Sequence, residues 1–276
     1  MKNIIIKINS DNELDYPCKG FLLGLDKFSI CFGKTYSVND IINIKNKYND
    51  KKIFVSLNRP IYNSELKAFR EVLNELDVIG IDGLIVGDIA PLTYNLKTPI
   101  ILDQLHLNNS YLTVNHYINN GVKGIVLTND ITKEEINTIK EHNKDAILFK
   151  QVFGLVHLST SVRSLVTNYF KYFNIDRKDK VNLIKEKVNG KYYHIIEDYY
   201  GTHILSDTPL NLLSELDNIN ADYFIIDSYL LNDDYSYVVD SFINDKIDNN
   251  DKINEIYNAN KGFIDKKTIY KVKKND

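Results

Sequence analysis

A histidine and an arginine stand six residues apart in the stretch QVFGLVHLSTSVRSLVTNYF, residues 151–170. An imidazole can transfer protons or bind a metal, and a guanidinium can hold a phosphate or carboxylate through paired N–H donors. Two interpretations stay open for each residue. His157 packs at a strand end or lines a ligand site, and Arg163 forms an ion pair or clamps an anion. With Ser164, which comes directly before a predicted helix, they are candidate ligand-binding residues.

A second candidate site consists of polar residues that end successive apolar runs. The runs IFVSLN, GLIVGD, PIILDQ and GIVLTN are each short enough for a buried strand. The mouth of a β/α barrel requires parallel strands that deliver polar groups at their carboxyl ends, although such residues also cap the helices that follow. We predict that these residues share one cavity, with no single member singled out as catalytic: Asn58, Asp88, Asp103, Gln104 and Asn129.

Residue types that bind metals cluster between His194 and His203, with Glu197 and Asp198 between them. These side chains can converge on a twisted hairpin, but two histidines on either side of a turn are also common where no metal binds. The sequence contains neither a His-Glu-x-x-His motif nor a Gly-x-Ser-x-Gly motif. We therefore predict no metal site and find no peptidase motif.

Composition is that of a soluble globular protein: 43% of the 276 residues are hydrophobic and 26% are charged. The net charge of -3 gives no overall attraction to nucleic acid, so an RNA contact would need a local basic patch. The first apolar run is short and is broken by Lys7, which predicts a cytoplasmic protein without a signal peptide or membrane segment. Two cysteines, Cys18 and Cys31, are too few for a disulfide framework and are expected to be buried free thiols.

Apolar runs alternate with amphipathic stretches along the first half of the chain. The capping-box pair Thr132 and Glu135 marks one helix start. The predicted strands are Ile4–Ile8, Phe21–Leu25, Ile53–Leu57, Gly83–Val86, Pro99–Leu102, Gly124–Thr128 and Ala146–Phe149. The predicted helices are Ser37–Tyr48, Asn63–Leu76, Ser110–Asn119 and Thr132–His142. This alternation predicts an α/β fold, a TIM-like β/α barrel.

The pattern changes after Phe173. A turn at Asn189-Gly190 between two β-rich runs is a hairpin signal, and a second turn follows near Gly201. We therefore predict the main part of the barrel over 1–175, a small antiparallel β insertion over 176–206 in the C-terminal half, and the end of the barrel with a C-terminal segment over 207–276. The elements predicted in the last part are a helix at Pro209–Leu216, a strand at Asp222–Asp227, a helix at Tyr235–Ile243 and a mobile polar loop at Asn244–Glu255.

The segment Gly154–Asn168 resembles the cysteine loop of peptidase family U32, the collagenase-like peptidases, some of which act in oxygen-independent hydroxylation of tRNA, rRNA or ubiquinone precursors. That loop reads glycine, two small or apolar residues, cysteine, four residues, then Gly-x-Cys. His157 stands at the first cysteine position and Ser164 at the second. Further resemblances lie in Glu197–Leu205, Asn258–Val272, DGLIVGDIAPL and ILDQLHLNN, whereas Asn129-Asp130 departs from the Arg-Glu of many members.

The resemblance implies a barrel fold and a departure from the cluster-binding members. Those members share four cysteines, and both positions that align here are substituted. A [4Fe–4S] cluster needs about four thiolates or close substitutes, so the resemblance implies a protein without this cofactor. The segment Val162–Tyr169 resembles low-cysteine members related to the tRNA 5-hydroxyuridine-forming proteins.

Three functions stay open on this basis. The first is a cluster-less subunit or paralogue in tRNA (5-hydroxyuridine) or rRNA base hydroxylation, with tRNA or rRNA and a cluster-containing paralogue as partners. The second is a U32-type peptidase, and the third is a non-catalytic scaffold. Aromatic and basic residues that could contact RNA, or form a plain solvated face, are Tyr169, Tyr172, Tyr192 and Tyr193 among Lys171, Arg177, Lys178 and Lys191.

Overall fold

Eight parallel strands close into a barrel in the computed structural model, which describes residues 2–105, 107–176, 179–231 and 234–266. The barrel strands pair in chain order, and the last pairs with the first. In chain order, the strands are β1 (Ile4–Lys7), β2 (Gly20–Leu25), β3 (Thr35–Tyr36), β4 (Lys52–Leu57), β5 (Gly83–Val86), β6 (Ile100–Leu102), β7 (Gly124–Val126), β8 (Ile147–Gly154), β9 (His157–Ser161), β10 (Val181–Lys185), β11 (Tyr192–Asp198), β12 (Gly201–Leu205), β13 (Leu210–Asn211) and β14 (Tyr223–Asp227). The barrel comprises β1, β2, β4–β8 and β14, so the predicted TIM-like fold and all eight predicted barrel strands are confirmed.

The barrel strands bury both faces, which explains why they read as unbroken apolar runs. One face of each strand packs against the surrounding helices in the main core. The other face fills the barrel interior with a smaller apolar cluster below the mouth. That inner cluster comprises Ile5, Leu22, Phe54, Ile85, Ile101, Phe149 and Ile225.

Helices follow most of the barrel strands, and their starts agree with the capping signals. Thr132 and Glu135 form the predicted capping box, and Ser37 and Asp40 form another. The helices are α1 (Val38–Lys47), α2 (Leu66–Ile79), α3 (Tyr111–Asn119), α4 (Lys133–His142), α5 (Leu165–Tyr172), α6 (Ser236–Ile243) and α7 (Asn250–Tyr257). Within the described residues, none is long and apolar enough to cross a membrane.

Two predictions for the C-terminal part are wrong. The predicted helix Pro209–Leu216 is strand β13 followed by a 3-10 turn, because Leu210 and Asn211 pair with the end of β8 and the Asn211 N–H donates to Asn260. The predicted mobile loop Asn244–Glu255 contains a 3-10 turn and the start of α7, which Ile253 anchors by its burial. Long-range pairing at β13 and burial at α7 outweighed local composition.

The antiparallel sheet lies between β8 and β13 in the chain and has the order β10-β11-β12-β9. The predicted hairpin turn is confirmed, with Gly190 at a φ of 72°. The sheet also uses β9, and α5 lies against β11 and β12, so it draws on residues before the predicted start at 176. We refer to residues 157–205 as the insertion.

Candidate functional site

A cavity opens at the carboxyl ends of the barrel strands, where enzymes of this fold carry their active sites. The cavity encloses ≈ 990 Å³ of empty space, a volume that includes the part open to bulk solvent. The walls come from seven of the barrel strands and from loops after the strands, and the beginning of the insertion forms one side. The polar residues on the walls are Lys7, Ser56, Asn58, Asp103, Thr128, Asn129, Asp130, Gln151, His157, Asp227 and Tyr229.

Lys7 and Asp227 form an ion pair at the ends of the adjacent strands β1 and β14. Lys7 Nζ lies 2.8 Å from Asp227 Oδ2, and the other carboxylate oxygen accepts from Asn9 and from the Tyr229 N–H. Burial acts to lower the pKa of Lys7, but the Asp227 carboxylate outweighs it and the pKa is raised. Lys7 therefore stays a cation in the cavity. Sequence reasoning missed this pair, although a lysine that ends a buried apolar run was a usable signal.

Asn58 and Asp103, both predicted site residues, are brought together across the mouth. The Asn58 side-chain amide donates to Asp103 Oδ2 at 2.8 Å, and its oxygen accepts from the Ile30 N–H at 2.9 Å. Burial raises the pKa of Asp103 despite the hydrogen bond from Asn58. A carboxyl group with a raised pKa in a cavity is a candidate for proton transfer.

Asn129 occupies the cavity wall at the end of β7 and is held from two sides. Its amide nitrogen donates to Gln151 Oε1 at 2.9 Å, and Lys150 Nζ donates to its oxygen at 2.6 Å. Lys150 also donates to the Thr128 carbonyl at 2.8 Å. Burial lowers the pKa of Lys150 to about 7, with partial opposition from the charge of Asp130. Lys150 is a positioning residue that sequence reasoning missed.

His157 lines the same cavity from the insertion. Its Nε2 lies 2.9 Å from Thr160 Oγ1 and 3.1 Å from the Ser159 carbonyl oxygen. The ring meets Phe32 edge to face, with 5.4 Å between the ring centroids. The structure thus places the histidine of the opening motif beside the predicted strand-end residues.

Asp88 and Gln104 lie outside the cavity walls. Asp88 Oδ1 accepts from the Ala90 N–H at 2.7 Å and so caps the short 3-10 helix Ala90–Thr93. The Gln104 side-chain oxygen is buried and has no hydrogen-bond partner in the described part of the chain. The structure therefore divides the predicted strand-end set into three cavity residues and two others.

Arg163 and Ser164 are exposed at the start of α5, away from the cavity. The backbone N–H groups of Val166 and Thr167 in that first turn donate to the Glu197 carboxylate, at 2.8 Å for Val166 and 3.1 Å for Thr167. The helix start already holds an anion, so an anionic ligand at this point would have to displace Glu197.

The two histidines of the predicted metal-type cluster, His194 and His203, contact different partners in the structure. His194 Nδ1 contacts the Ser206 carbonyl at 2.9 Å, whereas His203 Nδ1 contacts Thr160. Cys18 precedes β2 and Cys31 follows it, so their thiols lie at opposite ends of one strand. Over the described ranges, no group of three or more His, Cys, Asp or Glu residues could hold a metal ion. These residues do not fit a [4Fe–4S] cluster.

The family model for peptidase family U32 matches residues 20–274. The chain belongs to peptidase family U32. This U32 chain is 29% identical over 245 residues to the tRNA hydroxylation protein P2 of Bacillus subtilis (strain 168), covering 83% of this chain and 78% of that protein. It is 25% identical over 243 residues to an uncharacterised protease of Methanocaldococcus jannaschii, covering 80% of this chain and 58% of that relative.

A solved U32 peptidase structure shares the fold. The TM-score is 0.52 at 13% sequence identity, and the match covers 82% of this chain and 92% of the other. At this identity the likeness concerns the fold alone.

Proposed function

We propose that this U32 chain acts in the hydroxylation of an RNA base, as a subunit or paralogue without an iron–sulfur cluster. The first target is a tRNA uridine, with 5-hydroxyuridine as the product, and an rRNA base is the alternative. The observation that carries the proposal is the similarity to tRNA hydroxylation protein P2 along 83% of the chain. The proposed partners are tRNA or rRNA and a cluster-containing paralogue.

The cavity supports this proposal because it offers groups for a polar ligand and for proton transfer. Lys7 supplies a fixed positive charge, and Asp103 supplies a carboxyl group whose pKa is raised. The amides of Asn58, Asn129 and Gln151 add hydrogen-bonding groups to the same walls.

The insertion supports an RNA contact. Residues 157–205 contain eight Lys or Arg and five Asp or Glu, a net charge of +3 in a chain whose total is -3. Tyr172 is 84% exposed, and Tyr169 and Phe173 beside it are also exposed. Bases of single-stranded RNA stack on such rings. Lys185 Nζ lies 5.2 Å from the centre of the exposed Tyr192 ring.

The other predicted RNA-contact residues are placed differently. Tyr193 is half-buried, and Lys191 is paired with Asp207 at 2.7 Å. Arg177 and Lys178 lie outside the described residues.

One arrangement favours the peptidase alternative. Thr160 Oγ1 lies 3.1 Å from His203 Nδ1, and His203 Nε2 faces Asp198 Oδ1 at 3.5 Å, which is the hydroxyl–imidazole–carboxylate order of hydrolases. The same hydroxyl also contacts His157 at 2.9 Å, so it is held between two imidazoles and must leave one of them to attack a substrate. Gelatin or casein cleavage that co-purifies with the chain and disappears in Thr160→Val would establish the peptidase.

The test of the proposed function is mass spectrometry of nucleosides from bulk tRNA and rRNA of a deletion strain. We expect loss of 5-hydroxyuridine or of an rRNA hydroxylation, restored by the wild-type gene. Asp103→Asn should fail to restore the modification, whereas Asp145→Asn, which changes an exposed aspartate, should restore it. Unchanged nucleosides in the deletion strain would refute the proposal. Stoichiometric iron and sulfide in anaerobically purified protein would refute its cluster-free part.

A further inference from the structure

A β-bulge brings three polar side chains of the insertion onto one face of its sheet. Leu205 pairs with His157 and Ile204 pairs with Ser159, so Leu158 is an extra residue in β9. Regular alternation would place residues three apart on opposite faces. The bulge instead turns His157 to the face that carries Thr160 and its cross-strand partner, His203.

The three side chains and Asp198 form a continuous chain of contacts. Thr160 Oγ1 lies 2.9 Å from His157 Nε2 and 3.1 Å from His203 Nδ1. His203 Nε2 lies 3.5 Å from Asp198 Oδ1, which suits an ion pair once His203 is protonated. His203 is only 1% exposed, and the Phe32 ring packs edge-on against both imidazoles.

The contacts among the described residues fit the following proton positions when both histidines are neutral. The Ser159 carbonyl can only accept, so the nearby Nε2 of His157 carries the proton. Thr160 then accepts from His157 and donates its own proton to His203 Nδ1. The remaining His203 proton lies on Nε2, facing the Asp198 carboxylate.

The chain joins two separate openings. His157 lines the barrel cavity, whereas Thr160 and His203 line a groove of ≈ 720 Å³ beside the insertion. Burial opposes ionisation of Asp198, but the nearby His203 imidazole and the hydrogen bond from the Tyr200 N–H outweigh it and the pKa of Asp198 is lowered. Titratable or charged groups that face the chain are Lys7, Asp103, Asp130, Asp227 and Tyr229 in the cavity and Arg59, Glu65, Tyr199 and Tyr200 in the groove.

We propose that His157, Thr160, His203 and Asp198 relay a proton between the barrel cavity and the groove. A proton from a ligand in the cavity binds His157 Nδ1. The proton on His157 Nε2 passes to Thr160 Oγ1, and the Thr160 hydroxyl proton passes to His203 Nδ1. One positive charge thereby moves from His157 to His203, where Asp198 stabilises it, and nothing is oxidised or reduced.

His157 is the group that meets the ligand, and the other three residues act through it. The inference rests on the proposed function only for the identity of the ligand that releases the proton. Its test therefore uses the isolated full chain and needs no RNA.

The experiment is long-range 1H–15N NMR of the imidazoles between about pH 5 and 9, with His157→Asn and His203→Asn to assign the signals. In the wild type, we expect Nε2–H tautomers at both rings at high pH and coupled titration of the two. Thr160→Val should remove the coupling, so that the two imidazoles give two independent titration curves. Asp198→Asn should reduce the population of doubly protonated His203 at about pH 6, because it removes the stabilising negative charge.

Ser159→Ala is the matched control, because it removes an exposed hydroxyl from the opposite face of the same strand and keeps the carbonyl. It should titrate as the wild type does. An Nδ1–H tautomer at His203, or titration curves in Thr160→Val that match the wild type, would overturn the relay. If Thr160→Val does not fold, the relay is tested by the imidazole tautomers of the wild type and by the protonation of His203 in Asp198→Asn. A normal nucleoside profile in the deletion strain would refute RNA hydroxylation and leave the titration result standing.

Discussion

Lys7 and Lys150 show how the partner of a lysine decides its charge inside one barrel. Lys7 faces the carboxylate of Asp227, and its pKa is raised. Lys150 is 1% exposed and donates to the neutral oxygens of Thr128 and Asn129, and its pKa is lowered to about 7. Burial penalises both cations, but only Lys7 has a negative partner in contact.

We predict that Lys150 makes the free energy of unfolding rise with pH. The folded pKa of about 7 lies below the ordinary value of 10.5, so the unfolded chain binds more protons between these values. The destabilisation is complete below pH 7 and is relieved as the pH rises towards 10.5. Urea unfolding at several pH values should show that the wild type gains up to about 1.4 kcal/mol per pH unit relative to Lys150→Met.

Lys144→Met, which removes an exposed lysine, is the control and should keep the wild-type pH dependence. Equal pH dependence in the wild type and Lys150→Met would contradict the lowered pKa.

At the scale of the elements, the start of helix α5 depends on a carboxylate from strand β11. Glu197 in β11 accepts from the first turn of α5 and from the hydroxyls of Thr167 and Thr202. Burial acts to raise the pKa of Glu197, but these hydrogen bonds outweigh it and the pKa is lowered. The contact ties the helix to the sheet of the insertion.

Glu197→Ala should lower the free energy of unfolding by about 2–3 kcal/mol, because buried donors lose a charged acceptor. Glu75→Ala, on an exposed position of α2, should change it little. The Glu197 contribution should be present above the ordinary pKa of 4.5 and should be lost as the pH falls through the lowered folded value. Urea unfolding at pH 7 and pH 3 measures both effects, and equal stability of the two variants at pH 7 would contradict the role of Glu197.

Gly154 governs the point where the chain leaves β8 for the insertion. Its φ is 113°, and an added Cβ would lie 2.0 Å from the Asp227 carbonyl oxygen. Gly154→Ala should therefore cost about 3 kcal/mol or more, from backbone strain and the clash together. Gly190→Ala is the matched control: its φ is also positive, but nothing lies within 4 Å of the added Cβ, so the cost should be about 1–2 kcal/mol. Thermal melts and urea unfolding measure the stability of both variants. Equal losses of stability would argue against a close approach between Gly154 and the Asp227 carbonyl oxygen.

At the scale of the whole molecule, charge and aromatic exposure are unevenly distributed. The insertion carries an excess of basic residues in an acidic chain and contributes one wall of the barrel cavity. An RNA held on exposed aromatic residues of the insertion would therefore lie on the element that borders the proposed site.

Tyr172→Ala should weaken binding of a mixed-sequence single-stranded RNA by about 1–3 kcal/mol, because one stacking platform is removed. Fluorescence anisotropy at fixed salt measures the affinity, and a thermal melt should be unchanged because the ring is exposed. Tyr62→Ala removes a tyrosine that is 53% exposed and lies outside the insertion, and it should bind as the wild type does. Equal affinities for all three proteins would remove the insertion from the RNA-binding surface.

The sequence by itself determined the features that depend on neighbours along the chain. Apolar runs between amphipathic stretches identified the eight barrel strands, and the capping box at Thr132 and the turn at Asn189-Gly190 are both confirmed. Polar residues were expected to meet at the carboxyl ends of the parallel strands, and Asn58, Asp103 and Asn129 do line one cavity. These features can be predicted from the sequence because hydrophobic periodicity, helix caps and turns each depend on residues only a few positions apart.

Tertiary structure alone decided which distant groups meet. Lys7 meets Asp227 only because the barrel closes between its first and last strands, and β13 and α7 form where long-range pairing and burial override local composition. His157 reaches Thr160 and His203 only through the bulge at Leu158. One extra residue in a strand reverses the facing of a side chain, and the sequence carries no local signal for it, because a bulge is defined by the register of two strands.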